Sequence, residues 1–389
     1  MTAFDEPKDL PDHGNGVSRR TFLKSNLAGM LLPTLALGPT MPGYSSRENA
    51  VILLVMVGGP SSHETFHPLP DAPENIRGPF EAIATRLPGV LVSECFPCLA
   101  QRLDRVSLVR TLFHDSAPLH EVGLQLLHTG RVLPGEPEDL AVKKVSTRPP
   151  EARSIPSYVV TPDLLGSLGM SISRGQELPM LGQNGMPGPI TPNVVRSIPF
   201  GEKSQSRKSQ LFNFSNEPEA VLQSYGPTLL GQECLRARRL VEAGTKLVVI
   251  NIFQSVFQEP SWDAHGRSPF ATFEHYRKSI CPDFDWAFCA LLDDLESRGM
   301  LDRTLVVATG ELGRSPFMNA FGGRDHWTKA WSALIAGGPA PRGEVLGATD
   351  RWGGEPVSSA VPLQALHATM AEHLGLAGYR SMSALWSTV

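Results

Sequence analysis

Three clusters of carboxylate, imidazole and guanidinium residues are the part of this sequence best suited to chemistry. Each follows an apolar run that reads as a buried strand. The clusters are Asp263 with His265, Glu311 with Arg314, and Asp325 with His326. Mixed carboxylate and imidazole ligands suit zinc, manganese or iron better than calcium, whose ligands are all oxygen. Two such ions about 4 Å apart would bind the attacking and leaving oxygens of a phosphoryl or sulfuryl transfer.

Two arginines add a possible anion-binding function to these clusters. The planar guanidinium groups of Arg314 and Arg324 are well shaped to neutralise the non-bridging oxygens of such a group. Taken alone, Glu311 or Arg314 has a structural alternative as a helix cap or a surface residue. For Asp325 and His326, the structural alternative is a hydrogen-bonded pair without a chemical role. The hypothesis requires the loops to converge, so we expect the Glu311 carboxylate within ion-sharing distance of the imidazoles.

Apolar strands are predicted to position these residues. The run Ala50–Val57 is continuously apolar, which is typical of a central parallel strand buried on both faces, and it is followed by His63 and His67. An imidazole just past this strand is well placed to reach a bound ion. The runs 246–252 and 305–309 precede two of the clusters. In an open α/β sheet, ligands bind at the carboxyl ends of the strands.

Helical patterns alternate with these runs along the chain. Helices are predicted at Ser93–Leu103, from Leu119 to Gly130, at Leu229–Ala243, around Phe284–Leu295 and at Leu363–Leu374, with further strands at Val106–Val109 and Ser332–Ala336. The alternation predicts an α/β fold: a doubly wound, mostly parallel sheet with helices on both faces. His120 and Glu121 fall in the first turn of their helix, where backbone N–H groups favour an anion.

Composition is that of an ordinary globular protein. The chain has 389 residues, 41% of them apolar, and a formal net charge of −4. The chain has no excess of basic residues of the kind that would indicate a nucleic acid partner. Residues 47–389 are predicted to form the α/β domain. Within it, periodicity fades between about residues 134 and 216, which indicates either a long insertion over the active face or a poorly ordered excursion.

The N-terminus resembles an export signal. Ser18-Arg-Arg-Thr-Phe-Leu-Lys24 precedes a modest apolar segment, Leu27–Leu37, as in twin-arginine signals. Gly29 and Pro33 interrupt that segment, so it is a poor membrane span. An amphipathic helix is the alternative. We therefore expect residues 1–46 to be a leader that engages the twin-arginine export machinery. The folded protein would be periplasmic or extracellular, with membrane contact only through an uncleaved leader.

The cysteines do not suggest a disulfide framework. They are five in number, so they cannot all pair within the chain. Cys95-Phe-Pro-Cys98 has the spacing of a redox or zinc half-site, yet no second Cys or His pair accompanies it at zinc-finger spacing. A place on the apolar face of a helix is favoured.

Several motifs resemble the bacterial family known as domain of unknown function 1501, in the alkaline phosphatase/sulfatase-like superfamily. They are Gly58-Gly-Pro-Ser61, Ile76-Arg-Gly-Pro-Phe80, Ala237–Gly244, Trp262-Asp-Ala-His265, Gly310–Pro316 and Gly323-Arg-Asp-His-Trp327. The resemblance covers roughly residues 47–376 and implies an alkaline phosphatase-like fold. It also implies metal ligands at Asp263, His265, Glu311 and His326. His67 stands where the family usually has an Asp.

The nucleophile departs from the sulfatase pattern that the resemblance brings with it. Leu127-His-Thr-Gly-Arg131 is similar to the end of the sulfatase motif, but the nucleophile position then falls on His120, with no Cys or Ser there. Three alternatives for the site remain open. The nucleophile could be an imidazole or a metal-bound hydroxide, or the site could bind its ligand without turnover.

The sequence thus favours an exported hydrolase of phosphate or sulfate esters, small or polysaccharide, that uses one or two divalent metal ions. The alternative is a catalytically silent surface or carbohydrate-binding protein on the same scaffold. A metal-dependent mutase is a weaker third option.

Overall fold

Strand β1 (Ala50–Val55) is apolar along its whole length, and all six of its residues are buried. The computed structural model describes residues 48–132, 158–162, 165 and 213–376. The other strands are β2 (Ala82–Ala84), β3 (Leu91–Ser93), β4 (Ser107–Phe113), β5 (Tyr158–Thr161), β6 (Leu247–Asn251), β7 (Thr304–Thr309), β8 (Gly313–Arg314), β9 (His326–Trp327), β10 (Trp331–Ala336), β11 (Val345–Leu346), β12 (Ala348–Thr349), β13 (Pro356–Ser358) and β14 (Val361–Pro362).

The helices of the described residues complete the element order. They are α1 (Glu74–Arg77), α2 (Pro97–Ala100), α3 (His120–Thr129), α4 (Glu219–Tyr225), α5 (Leu229–Glu242), α6 (Phe273–His275), α7 (Cys281–Ser297) and α8 (Leu363–His373). A π-helical turn, Tyr276–Ile280, joins α6 to α7. No helix in these ranges has the length and apolar character that a bilayer-spanning segment needs.

The main sheet has the order β11-β4-β10-β7-β1-β6-β5, and β14 also pairs with β4. Strands β5, β6, β1 and β7 pair in parallel. Strand β10 runs antiparallel to both of its neighbours, β7 and β4. The sheet is therefore mixed and mostly parallel, as predicted. Because β10 is as fully buried as the parallel strands, its residues carry no sign of its direction.

Helices cover both faces of this sheet. Val51, Leu53 and Val55 of β1 share an apolar core with α3 and α8. Helix α5 packs against β6 and against α7 on the other side. Alternate residues of a strand point to opposite faces, so burial on both faces requires the continuous apolar runs seen in the sequence.

The boundary of one predicted helix was wrong. Residues 91–93 form β3, paired with β2, and the helix that follows is only Pro97–Ala100. Pro97 occupies its first turn, where a missing N–H group costs nothing. The end of α3 was predicted correctly: Gly130 adopts the left-handed conformation that a helix-terminating glycine permits (φ 73°).

Two sequence hypotheses lie wholly or mostly outside the described residues. The twin-arginine segment lies within residues 1–47, and most of the stretch 134–216 is likewise not described. Strand β5 falls within that stretch and joins the main sheet beside β6. The five cysteines are free.

Candidate metal centre

Four loops meet at one edge of the sheet. Strands β1, β4, β6 and β7 point the same way, so the segments that follow them leave from the same edge. Strand β10 points the opposite way, so its preceding segment, with Asp325 and His326, reaches this edge too. The sheet topology thus brings the three predicted clusters together with His120, which lies 206 residues before His326 in the chain.

The carboxylate of Asp263 lies at the centre of three imidazole rings. His265 Nε2 is 3.0 Å from its Oδ1, His326 Nε2 is 3.6 Å from Oδ1, and His120 Nε2 is 3.5 Å from Oδ2. The Nε2 atoms of His265 and His326 are 3.2 Å apart. Within the residues the structure describes, His120, Asp263 and His326 are the group whose ligand atoms all lie within 4.8 Å of one another.

Each imidazole is anchored through its other nitrogen. The Nδ1 partners are Glu311 Oε1 for His120 (2.6 Å), the Pro118 carbonyl for His326 (2.8 Å) and Asp325 Oδ1 for His265 (3.3 Å). With a proton on Nδ1, the rings of His120 and His326 would present their Nε2 lone pairs to a cation bound beside Asp263. Histidines that bind metals are held in this way, by a carboxylate or carbonyl behind the ring. The donor set therefore fits a divalent cation of the zinc, manganese or iron type.

Glu311 lies behind His120 rather than beside the other two rings. Its Oε1 accepts hydrogen bonds from His120 Nδ1 and from the backbone N–H of Gly58 (2.9 Å), while Oε2 is buried with no hydrogen-bond partner. Within the part of the chain that the structure describes, the Glu311 side chain makes no hydrogen bond to His265 or His326. Helix α3 causes this arrangement: a Cβ at Gly123 would lie 2.2 Å from the Glu311 carbonyl oxygen, so the helix packs directly on this segment and inserts His120 between Glu311 and Asp263.

Arg314 is fully engaged with the loops around Asp263. Its Nη2 donates to the Asp263 carboxylate and to the Gly58 carbonyl, and its Nε donates to the Gly59 carbonyl at 3.0 Å. Its Nη1 lies 3.2 Å from the Arg324 carbonyl and 3.3 Å from His265 Nε2. Every donor is used, so in this arrangement the guanidinium holds the Asp263 carboxylate rather than offering hydrogen bonds to an incoming anion.

The charges around Asp263 explain its ionisation. Burial would raise the pKa of Asp263, but the Arg314 guanidinium and hydrogen bonds from the three imidazoles hold that pKa well below its usual range. Burial would lower the pKa of His120, whereas its contacts with Asp263 and Glu311 raise that pKa to about 9. Burial lowers the pKa of His326, and the nearby charges of Arg314 and His120 act in the same direction. The centre thus combines an ionised carboxylate with rings that differ in basicity.

Residues 48–185 and 193–385 match the sequence profile of the family described as "Protein of unknown function (DUF1501)". The chain belongs to the DUF1501 family. The motif-based resemblance is therefore confirmed at the level of the family. No curated protein matches the chain significantly.

Several solved structures are similar to this DUF1501 chain at low sequence identity. A protein of the alkaline phosphatase superfamily from Vibrio parahaemolyticus is 13% identical, with a TM-score of 0.41 over 90% of this chain and 72% of its own. The alkaline phosphatase of the Antarctic bacterium TAB5 is 11% identical, with a TM-score of 0.39, and the match covers 85% of this chain and 100% of its own. The phosphonate monoester hydrolase of Silicibacter pomeroyi is 11% identical, with a TM-score of 0.44, and the match covers 87% of this chain and 77% of its own.

Arg324 has a structural environment that does not fit the anion-binding role expected of it. It donates two hydrogen bonds to Glu64, at 2.8 and 2.6 Å, and the others to the carbonyls of Ile76, Ser315 and Pro316. Both charged side chains are fully buried. With all five donors satisfied, Arg324 ties the loop after β1 to the loop before β10 in this DUF1501 chain.

His63 and His67 lie apart from the group at Asp263. His63 Nε2 is 2.8 Å from the Trp352 carbonyl, and burial, with a contribution from Arg324, lowers its pKa to about 4. Burial, with a contribution from Arg110, lowers the pKa of His67 to about 3. The chain after β1 turns the His63 ring towards the Trp352 segment, and neither His63 nor His67 belongs to the group of His120, Asp263 and His326 among the described residues.

Sequence reasoning missed the backbone contribution to the centre. Gly58 donates to Glu311, and a Cβ at this position would lie 2.4 Å from the Asp263 amide nitrogen. The adjacent Gly58-Gly59 pair was the available signal, because paired glycines often mark a close approach of two backbone segments. Nothing local marks Glu64 or the Pro118 carbonyl as partners, because their contacts are 260 and 208 residues away in the chain.

Proposed function

We propose that this protein is an exported, metal-dependent hydrolase of phosphate or sulfate esters. The observation that supports the proposal is the convergence of three imidazole Nε2 atoms on the buried Asp263 carboxylate, each ring fixed from behind. Export rests on the twin-arginine motif at residues 18–24.

One divalent cation would be held by His120, Asp263 and His326, with His265 beside them. Such an ion would act as a Lewis acid on the ester's phosphoryl or sulfuryl oxygen. Because Nδ1 of His120 is bound to Glu311 and its Nε2 belongs to the ligand group, the geometry favours His120 as a ligand over His120 as the attacking nucleophile. The positive charge of Arg314 on the Asp263 carboxylate disfavours a second cation there, so we favour one ion over two.

The remaining residues have distinct parts in this scheme. Glu311 fixes the tautomer and orientation of His120. Arg314 keeps Asp263 ionised and immobile. His265, whose Nδ1 faces the exposed Asp325, lies beside the cation position, where it would serve as the general acid for the alcohol that water displaces from the ester.

Metal analysis of protein folded in the cell, combined with a panel of chromogenic phosphate and sulfate esters, tests this function. We expect about one zinc, manganese or iron ion per chain, and turnover that Asp263→Asn abolishes together with the bound metal. Protein that binds no metal and turns over no ester would refute the proposal and leave the silent binding protein.

A further inference from the structure

A group of aromatic side chains, each at least partly exposed, lies beside His265. The Phe270 ring is 4.8 Å from the His265 ring, centroid to centroid, in an edge-on contact. Phe257 packs on Phe270 at 5.7 Å and is 45% exposed. These two rings extend the surface of the metal centre outward on its His265 side.

A third phenylalanine, Phe321, lies on the neighbouring loop. A Cβ at Gly266 would lie 2.4 Å from the Phe321 carbonyl oxygen, so the two loops are in direct backbone contact. The Phe321 ring is 52% exposed, and the Arg267 guanidinium lies 3.8 Å from its centroid. We refer to Phe257, Phe270 and Phe321 as the aromatic rim.

The backbone beneath the aromatic rim is tied to the metal centre. Ala271 donates a hydrogen bond to the Asp263 carbonyl at 3.0 Å, and Gly266 donates to the Ala271 carbonyl at 3.0 Å. On the neighbouring loop, Asn319 Oδ1 accepts hydrogen bonds from the amides of Phe321 and Gly323, both at 3.0 Å. The backbone beside Phe270 and Phe321 is therefore fixed near Asp263, which favours a preorganised binding surface.

The aromatic rim lies on the side from which solvent reaches the centre. The side chains of His265 and His326 are each 21% exposed, whereas those of Asp263 and Glu311 are 1% and 0% exposed. An ester whose phosphate or sulfate group contacts the cation can reach it from the His265 side of the centre, where the aromatic rim lies. Its organic group would then lie over the phenylalanine rings.

We propose that the aromatic rim is a binding subsite for the organic group of the ester, and that this group is an aryl group. The inference rests on the function proposed above. Flat apolar rings bind another aromatic ring by offset or edge-on contact. The rim offers no hydroxyl, amide or carboxylate from its own three side chains, and the Arg267 guanidinium lies against the Phe321 ring. A sugar would require hydrogen-bonding groups that these three side chains lack.

Calorimetry with paired, non-hydrolysable ligands tests the subsite on the metal-loaded full chain. Phenylphosphonate and methylphosphonate share one anionic group, as do benzenesulfonate and methanesulfonate, so each pair isolates the aryl group. One of the two pairs should bind, according to whether the site accepts phosphonate or sulfonate. Within that pair, we expect the Kd of the aryl ligand to be about tenfold lower than that of the methyl ligand, which corresponds to one good aromatic contact. Phe257→Ala and Phe321→Ala should each reduce this preference. Neither ring touches the imidazole cluster, so each substitution should act on the aryl contact alone.

Trp286→Ala is the matched control, because Trp286 is an aromatic residue of similar exposure (52%) that lies on α7 against Gly226. It should leave the aryl preference unchanged. If the aryl and methyl ligands bind equally well, the subsite is refuted while the anion site stands. If none of the four ligands binds, the proposed function and the subsite both fail.

Discussion

Glu311→Gln tests whether Glu311 orients a metal ligand or is itself one. In the structure its Oε1 accepts a hydrogen bond from His120 Nδ1 at 2.6 Å and another from Gly58 N at 2.9 Å. Glutamine keeps an oxygen at this position but loses the charge. It also places an amide NH2 where the buried Oε2 has no hydrogen-bond partner. The substitution should therefore loosen His120 without removing any atom from the ligand group.

The expected effect follows from these two hydrogen bonds. A bond to a charged acceptor contributes about 1.5–3 kcal/mol, against about 0.5–1.5 kcal/mol for a neutral one, so losing the charge costs about 1–2 kcal/mol per bond. Residues that orient a metal-binding histidine typically change metal affinity by about 10–100-fold. We therefore expect the Kd for zinc to rise by about 10–100-fold in Glu311→Gln.

Competition with a chromophoric zinc chelator measures this Kd, and thermal unfolding provides a second readout. At a free metal concentration of about 100 times the Kd, binding stabilises the fold by about 2.7 kcal/mol, and a tenfold rise in Kd lowers this to about 1.4 kcal/mol. Glu233→Gln is the matched control. Glu233 is also buried but pairs with Arg236 on α5, so its loss should leave the metal affinity unchanged.

Two results would refute this reasoning. An unchanged zinc Kd would mean that Glu311 does not orient His120. Complete loss of zinc binding, equal to that of Asp263→Asn, would mean that Glu311 ligates the ion directly, as the sequence first indicated.

Three further changes test other parts of the structure. Arg324→Met leaves the buried Glu64 carboxylate without its partner, so urea unfolding should show a loss of about 3–5 kcal/mol; weaker anion binding at unchanged stability would instead support the anion-binding role. Burial lowers the pKa of His367 to about 4, so the unfolded chain takes up a proton below about pH 6.5 and the folded chain does not. His367 should therefore lower the free energy of unfolding by up to about 3 kcal/mol as the pH drops from 6.5 towards 4, and His367→Gln should remove this share of the slope; an unchanged slope would contradict this. At Gly323 a Cβ would lie 2.2 Å from the His265 carbonyl carbon, so Gly323→Ala should separate the two loops and weaken zinc binding in the chelator assay, whereas wild-type affinity would show that the loops can adjust.

The positions of the main strands and helices were largely predictable because their signals are local. The apolar run at β1 reports burial on both faces, and Gly130 ends α3 because a left-handed residue suits a helix terminus. The region that holds the centre was predictable for the same reason. Polar residues that follow buried strands must collect at one edge of a parallel sheet.

The roles of individual residues depended on contacts that the sequence does not encode locally. Asp263, Glu311 and Arg324 all read as charged residues in loops, yet one is the centre of the imidazole cluster, one lies behind His120, and one pairs with Glu64. The order of the strands and the antiparallel direction of β10 bring these loops together. Which partner a buried charge finds is therefore fixed only by the tertiary structure, because burial makes an unpaired charge costly and packing determines which groups are close enough to satisfy it.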